Sequence, residues 1–255
     1  LALELVDYLQ GSFSLIFVII SLIIGLTILS KYFKYKSRLY VLVGISWIGV
    51  ANPWFPDSIS FIMNVVWGVS LPVELYFIIG NVFIPLALIT WLIAYTDMIY
   101  KRRQKLIITL IILFSLAFEA MFFYFFFTDI TQIGEINPSR PFTVNFGLFI
   151  TIYLLIVIVI MFITGLKFAS KSIKASDKAV KLKGKLLRAA FITFTIAAIL
   201  DSLLGTIFGD PSLATILAIM VVITRILLIT SAFEFYGGFI LPRWMHSIFL
   251  KEEKQ

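Results

Sequence analysis

Cysteine is absent from the 255-residue chain, and histidine occurs once, at His246 beside the C-terminal tail. These two absences exclude a disulfide framework, a thiolate metal site and a cysteine nucleophile. They also exclude a bis-histidine haem, a histidine-rich copper or zinc site and a Ser-His-Asp triad at depth. Charge is scarce as well. Charged residues make up 14% of the chain, where soluble domains carry about 25%. Apolar residues make up 61%, and mean hydropathy is +1.05. This balance excludes a water-soluble core and predicts a polytopic membrane protein. The chain opens on Leu1 rather than methionine, which reads as a removed or unrecorded start, and no signal-peptide pattern is visible.

A spanning helix needs about 20 mostly apolar residues. The sequence offers seven: Phe13–Phe33, Leu39–Trp54, Pro72–Tyr100, Leu106–Phe127, Phe142–Phe168, Lys185–Phe208 and Pro211–Ile240. The expected fold is an all-α seven-transmembrane helix bundle, one domain over residues 1–255. Asn52-Pro53 ends the short second span, and Pro242 ends the seventh. Between the second and third, Asp57–Gly68 is too short to cross. Asp57 reads as an N-cap, and Trp54 and Trp67 suit an interfacial belt, so this segment is expected to lie at the membrane surface. A re-entrant piece packed on the bundle is the alternative.

Basic residues set the orientation. Loop 1–2 holds Lys31, Lys34, Lys36 and Arg38, and loop 3–4 holds Lys101, Arg102, Arg103 and Lys105. Loop 5–6 holds eight, from Lys167 to Arg188, and the tail holds Arg243, Lys251 and Lys254. Only Arg140 falls on the opposite side, and Arg225 falls inside a span. The net charge of +7 is therefore a topology signal, with no nucleic-acid surface. By the positive-inside rule the N-terminus is outside and the C-terminus inside a cell membrane. The acidic residues of the outer side are Glu4, Asp7, Asp57, Asp129, Glu135 and Asp210.

Arg225, near the middle of the seventh span, is the anomaly. A guanidinium at that depth costs about 2.5–3.5 kcal/mol on insertion scales, so a partner is required. With each helix centred on the midplane, Asp201 of the sixth span and Glu119 of the fourth fall within roughly 6 Å of its depth. Asp201 also shares a face with the small residues Ala190, Ala197, Ala198 and Gly205, which suits close helix approach. The expected cluster is Arg225 with Asp201, then Glu119, with Glu74 as outer member. It reads either as a structural ion pair or as a site that binds a ligand or a proton.

A second group gathers at the inner surface: Tyr95, Asp97, Lys101, Arg102 and Arg103, with Glu234 on the seventh span. It reads as a local salt bridge or as a contact for a cytoplasmic partner. Loop 5–6 reads first as a solvated positive-inside loop, and alternatively as a contact for anionic lipid, with Lys171, Lys174, Lys178 and Lys181 at the spacing of an extended helix. The aromatic run Phe118–Phe127 reads as lipid-facing packing or a site for an apolar molecule.

Seven helices invite comparison with rhodopsins, but the seventh span has no lysine for a retinal Schiff base. The run LYFIIGNVFIPLALITWLIAYTD, Leu75 to Asp97, with Pro85, Trp91 and Tyr95, resembles the third helix of the seven-helix sensor region of prokaryotic histidine kinases. TRILLITSAFEFYGGFILPRW, Thr224 to Trp244, resembles the closing helix of uncharacterised archaeal seven-helix proteins. The resemblance implies a stand-alone sensor module acting through a cytoplasmic protein partner or a homo-oligomer, since no output domain follows. It supplies no ligand. A receptor-like sensor is the leading expectation, and an accessory subunit or a small-molecule transporter are the alternatives. No enzyme activity, cofactor or metal is expected.

Overall fold

The computed structural model describes residues 3–138, 140–207 and 214–250. Leu1, Phe208, Asp210, Pro211, Lys251 and Lys254 lie outside these residues, and the surroundings of Gly205 are likewise not described. Among the described residues the fold is all-α apart from one two-stranded hairpin. In chain order it contains α1 (Leu5–Tyr35), α2 (Arg38–Val50), α3 (Phe55–Trp67), α4 (Val73–Asn81), α5 (Ile84–Ile99) and α6 (Gln104–Thr128). Strands β1 (Gly134–Ile136) and β2 (Val144–Phe146) follow, then α7 (Leu148–Ile173), α8 (Lys178–Ile207), α9 (Ala214–Phe239) and α10 (Arg243–Phe249).

Among the described residues seven helices are long and apolar enough to cross a membrane. Two are bent, with proline as the cause. Arg38–Trp67 counts as one span built from α2 and α3, joined by a tight turn at Asn52–Trp54 that carries Pro53, with Pro56 in the first turn of α3. Neither proline can donate to the helix ladder, so the axis bends without ending. Val73–Ile99 is α4 and α5, broken at Val82–Phe83 ahead of Pro85. The two bends are bonded to each other: the Asn52 side-chain amide donates to the Ile79 carbonyl oxygen.

This corrects the expected surface helix at Asp57–Gly68. The prolines bend the second span instead of stopping it, and Asp57, Ser58, Ser60 and Asn64 are buried against the bundle. Trp54 is buried too, whereas Trp67 remains exposed. α3 ends at Gly68, whose φ of 69° closes the helix with an N–H to the Asn64 carbonyl at 2.9 Å.

α9 lies between α1 and α8, α1 also packs on α2 and α3, α2 packs on α5, and α7 packs on α8. α1 and α2 come into close contact at Gly25 and Gly44. A Cβ at Gly44 would stand 2.8 Å from the Gly25 carbonyl oxygen, so only glycine allows this crossing. α6 is the peripheral helix. It meets α7 through the stacked rings of Phe118 and Tyr153, 3.6 Å apart, and leaves Leu106, Leu110, Leu113, Met121 and Phe127 exposed.

The fifth span starts at Leu148, later than the expected Phe142. Residues 142–147 complete the hairpin, with Gly134 opposite Phe146 and Ile136 opposite Val144, and Gly147 caps α7. Of the readings of loop 5–6, the continuous helix through Lys171, Lys174, Lys178 and Lys181 is not what forms. α7 ends at Ile173 and α8 begins at Lys178, leaving a short connection that separates the two lysine pairs. Beyond Pro242 a further helix, α10, tucks Met245 against Gly237.

The bundle thus has two distinct ends. One carries the hairpin and the α3–α4 turn. The other carries Arg38, Lys101 to Arg103 and the lysines of α7 and α8, and is called the basic end below.

Candidate functional site

Arg225 of α9 is 1% exposed, the most deeply buried cation among the described residues. Its Nη1 donates to Asp201 Oδ1 of α8. Its Nη2 lies 3.5 Å from Asp57 Oδ2 of α3. Each carboxylate has a second support. Asp201 Oδ2 accepts the Trp54 indole N–H at 2.8 Å. Asp57 Oδ1 accepts the Tyr76 hydroxyl of α4, and Asp57 Oδ2 accepts from Ser14 Oγ of α1 at 3.4 Å. A single buried cation is thus matched by two hydrogen-bonded carboxylates, the condition under which a buried ion pair is tolerated. With all three ionised the cluster carries one net negative charge.

Local sequence explains the convergence. The Pro53–Pro56 bend turns Trp54 and Asp57 into the bundle. The break before Pro85 and the Asn52–Ile79 bond hold α4 so that Tyr76 meets Asp57. Ala190 and Ala197 are buried on α8, whose packing on α9 brings Asp201 to Arg225.

Beside the cluster lies a cavity of about 310 Å³. Asp57, Tyr76, Asp201 and Arg225 form its polar end, and Trp47, Trp54, Phe191, Phe194 and Phe235 supply aromatic walls. Trp47 stacks on Phe235 with ring centroids 4.1 Å apart, and Trp54 meets Phe194 edge-on at 6.0 Å. Towards α7 and α8 the lining reaches Leu155, Ile199 and Leu203, each exposed on the apolar flank of the bundle. The hairpin roofs the other side. Phe142 is buried, its carbonyl accepts from Gln10 Nε2 of α1, and Thr143 Oγ1 reaches Gln10 Oε1 at 3.5 Å.

Of the residues the sequence nominated, the structure brings Arg225 and Asp201 together and leaves Glu119 and Glu74 apart from them. Glu119 faces Ser115 and Tyr153 in the α6–α7 seam, because α6 sits on the rim of the bundle rather than against α9. Its Oε2 is buried without a hydrogen-bond partner among the described residues. Glu74 is exposed in the first turn of α4, and Tyr76, two residues on, is the group that turns inward. The place assigned to Glu119 belongs to Asp57. Asp57 was hidden by its proline neighbours, which read as the boundary of a helix when they mark a bend. Gln10, Ser14, Trp54 and Tyr76 are further additions.

At the basic end, Asp97 of α5 accepts two bonds from Arg38, Nε to Oδ2 at 2.8 Å and Nη2 to Oδ1 at 2.6 Å. Lys101 and the Gln104 amide also bond to it. Lys171 Nζ reaches the Met98 carbonyl at 3.2 Å, so this lysine ties α7 to the end of α5. Arg102, Arg103, Lys174, Lys178 and Lys181 are exposed. Glu234 stands on α9 away from Arg225, and its Oε2 too is buried without a hydrogen-bond partner among the described residues.

No family model matches the chain, and no curated protein or solved structure matches it.

Proposed function

We propose that this chain is a multi-pass membrane protein of receptor or sensor type. It binds a small molecule in the cavity beside the Asp57–Arg225–Asp201 cluster and passes the state of that site to a protein partner at its basic end. The observation that carries this reading is the cavity itself. It is lined by aromatic side chains, ends on a hydrogen-bonded charged cluster, and is roofed by the hairpin. An apolar pocket with a few convergent polar groups is the usual form of a small-molecule site. The positive-inside rule puts the basic end in the cytoplasm and the hairpin outside. The exposed cations there, Arg102, Arg103, Lys174, Lys178 and Lys181, suit an acidic partner surface or anionic lipid.

The test is recovery of a bound molecule. The chain is purified from native membranes and its small-molecule content compared by mass spectrometry with that of Ala198→Trp, which fills the cavity wall on α8. A compound retained by the parent chain and missing from the variant is the expected result. Equal content in both, or none in either, defeats the reading.

A further inference from the structure

The polar end of the cavity has a sign. Arg225 is sealed, its side chain 1% exposed and its Nη atoms committed to the two carboxylates. Its remaining Nε is buried without a partner among the described residues. The side chain of Asp57 is 7% exposed and that of Asp201 21%, so the charge most open to the cavity is the Asp201 carboxylate. The Tyr76 hydroxyl donates to Asp57 and the Trp54 indole to Asp201, while the unpartnered Nε–H of Arg225 is buried. Acceptor sites on Asp201 remain open. A carboxylate offers about four lone-pair sites, and two protein donors are seen on Asp201. With all three groups ionised the net charge of the cluster is negative, and Trp54 and Phe194 line the same cavity.

From this we infer that the ligand is a protonated amine with an apolar or aromatic body. Its ammonium donates to Asp201, and its body extends between α7 and α8 towards Leu155, Ile199 and Leu203. The inference rests on the ligand-binding reading above and adds the ligand's charge. The exposed flank residues also provide a route in from the bilayer, which an amphiphilic amine would take.

Three probes of one shape separate the possibilities: 4-phenylbutylamine, 4-phenylbutan-1-ol and 4-phenylbutyrate. Binding to the full chain in phosphatidylcholine nanodiscs is measured by calorimetry against empty discs. A hydrogen bond to a charged group adds about 1.5–3 kcal/mol, so the amine should bind at least about tenfold tighter than the alcohol, with the acid weakest. In Asp201→Asn this preference should fall to a few-fold. The probe series on the unmodified chain is decisive even where that variant folds poorly. Equal affinity for amine and alcohol overturns the charge assignment and leaves the binding reading standing. Tightest binding of the acid overturns it in favour of the guanidinium as the recognising group. No binding of any probe above empty discs overturns both.

Discussion

Trp54 donates its indole N–H to Asp201 across 2.8 Å, from the inside of a bend that two prolines create. That bond links the second span to the sixth and fixes the carboxylate that faces Arg225. Trp54→Phe keeps the ring and removes the donor. Loss of a hydrogen bond to a charged acceptor costs about 1.5–3 kcal/mol. Thermal unfolding of the purified chain in detergent should register that loss, and an unchanged midpoint would show that the bond contributes nothing.

Arg225→Met should be the most damaging change in the cluster. It leaves Asp57 and Asp201 buried with no cation between them, and removing one partner of a buried pair costs about 3–5 kcal/mol. Asp201→Asn should be milder, because Asp57 still pairs with the guanidinium. A double-mutant cycle on Arg225 and Asp201, read by folded yield, should show the pair costing less than the sum of the singles. Strict additivity contradicts the pairing.

Glu119→Leu should be neutral or stabilising. Its Oε2 is buried without a hydrogen-bond partner among the described residues, and such a group costs about 1–3 kcal/mol or more. A loss as large as that of Arg225→Met would instead return Glu119 to the arginine cluster.

Gly44→Leu should weaken the α1–α2 crossing, since the added Cβ meets the backbone oxygen of Gly25 at 2.8 Å. Overpacking of this kind costs about 1–3 kcal/mol, and a backbone atom cannot step aside as a side chain can. Unfolding temperature reports it, and full stability would mean that the two helices separate freely.

Orientation can be read by labelling, because the chain has no cysteine of its own. Glu135→Cys in the hairpin should react with a membrane-impermeant maleimide on intact cells. Lys178→Cys at the basic end should react only after lysis. The reverse pattern overturns the proposed topology.

Much of this was legible in the residues. Long apolar runs are read directly from length, and a lone arginine at depth demands a carboxylate, which pointed to Asp201. The rest depended on how prolines are interpreted. Asn52-Pro53 reads as a stop, which sends Asp57 to the surface and leaves Glu119 to fill its place by depth alone. Depth gives no angle around the bundle axis, and α6 lies on the wrong side of it. The hairpin escaped notice because its strands are three residues each and run into an apolar helix. Tyr76 carried no charge to mark it, yet it holds a carboxylate that the exposed Glu74 does not approach.

The two bent spans are joined at three heights. Tyr76 meets Asp57 near the cavity, Asn52 meets Ile79 at the bends, and Arg38 grips Asp97 at the basic end. Asp57 lies just past the bend and Arg38 at the far tip, so the paired spans are braced from the knee to the basic end, and bending one there loads the other.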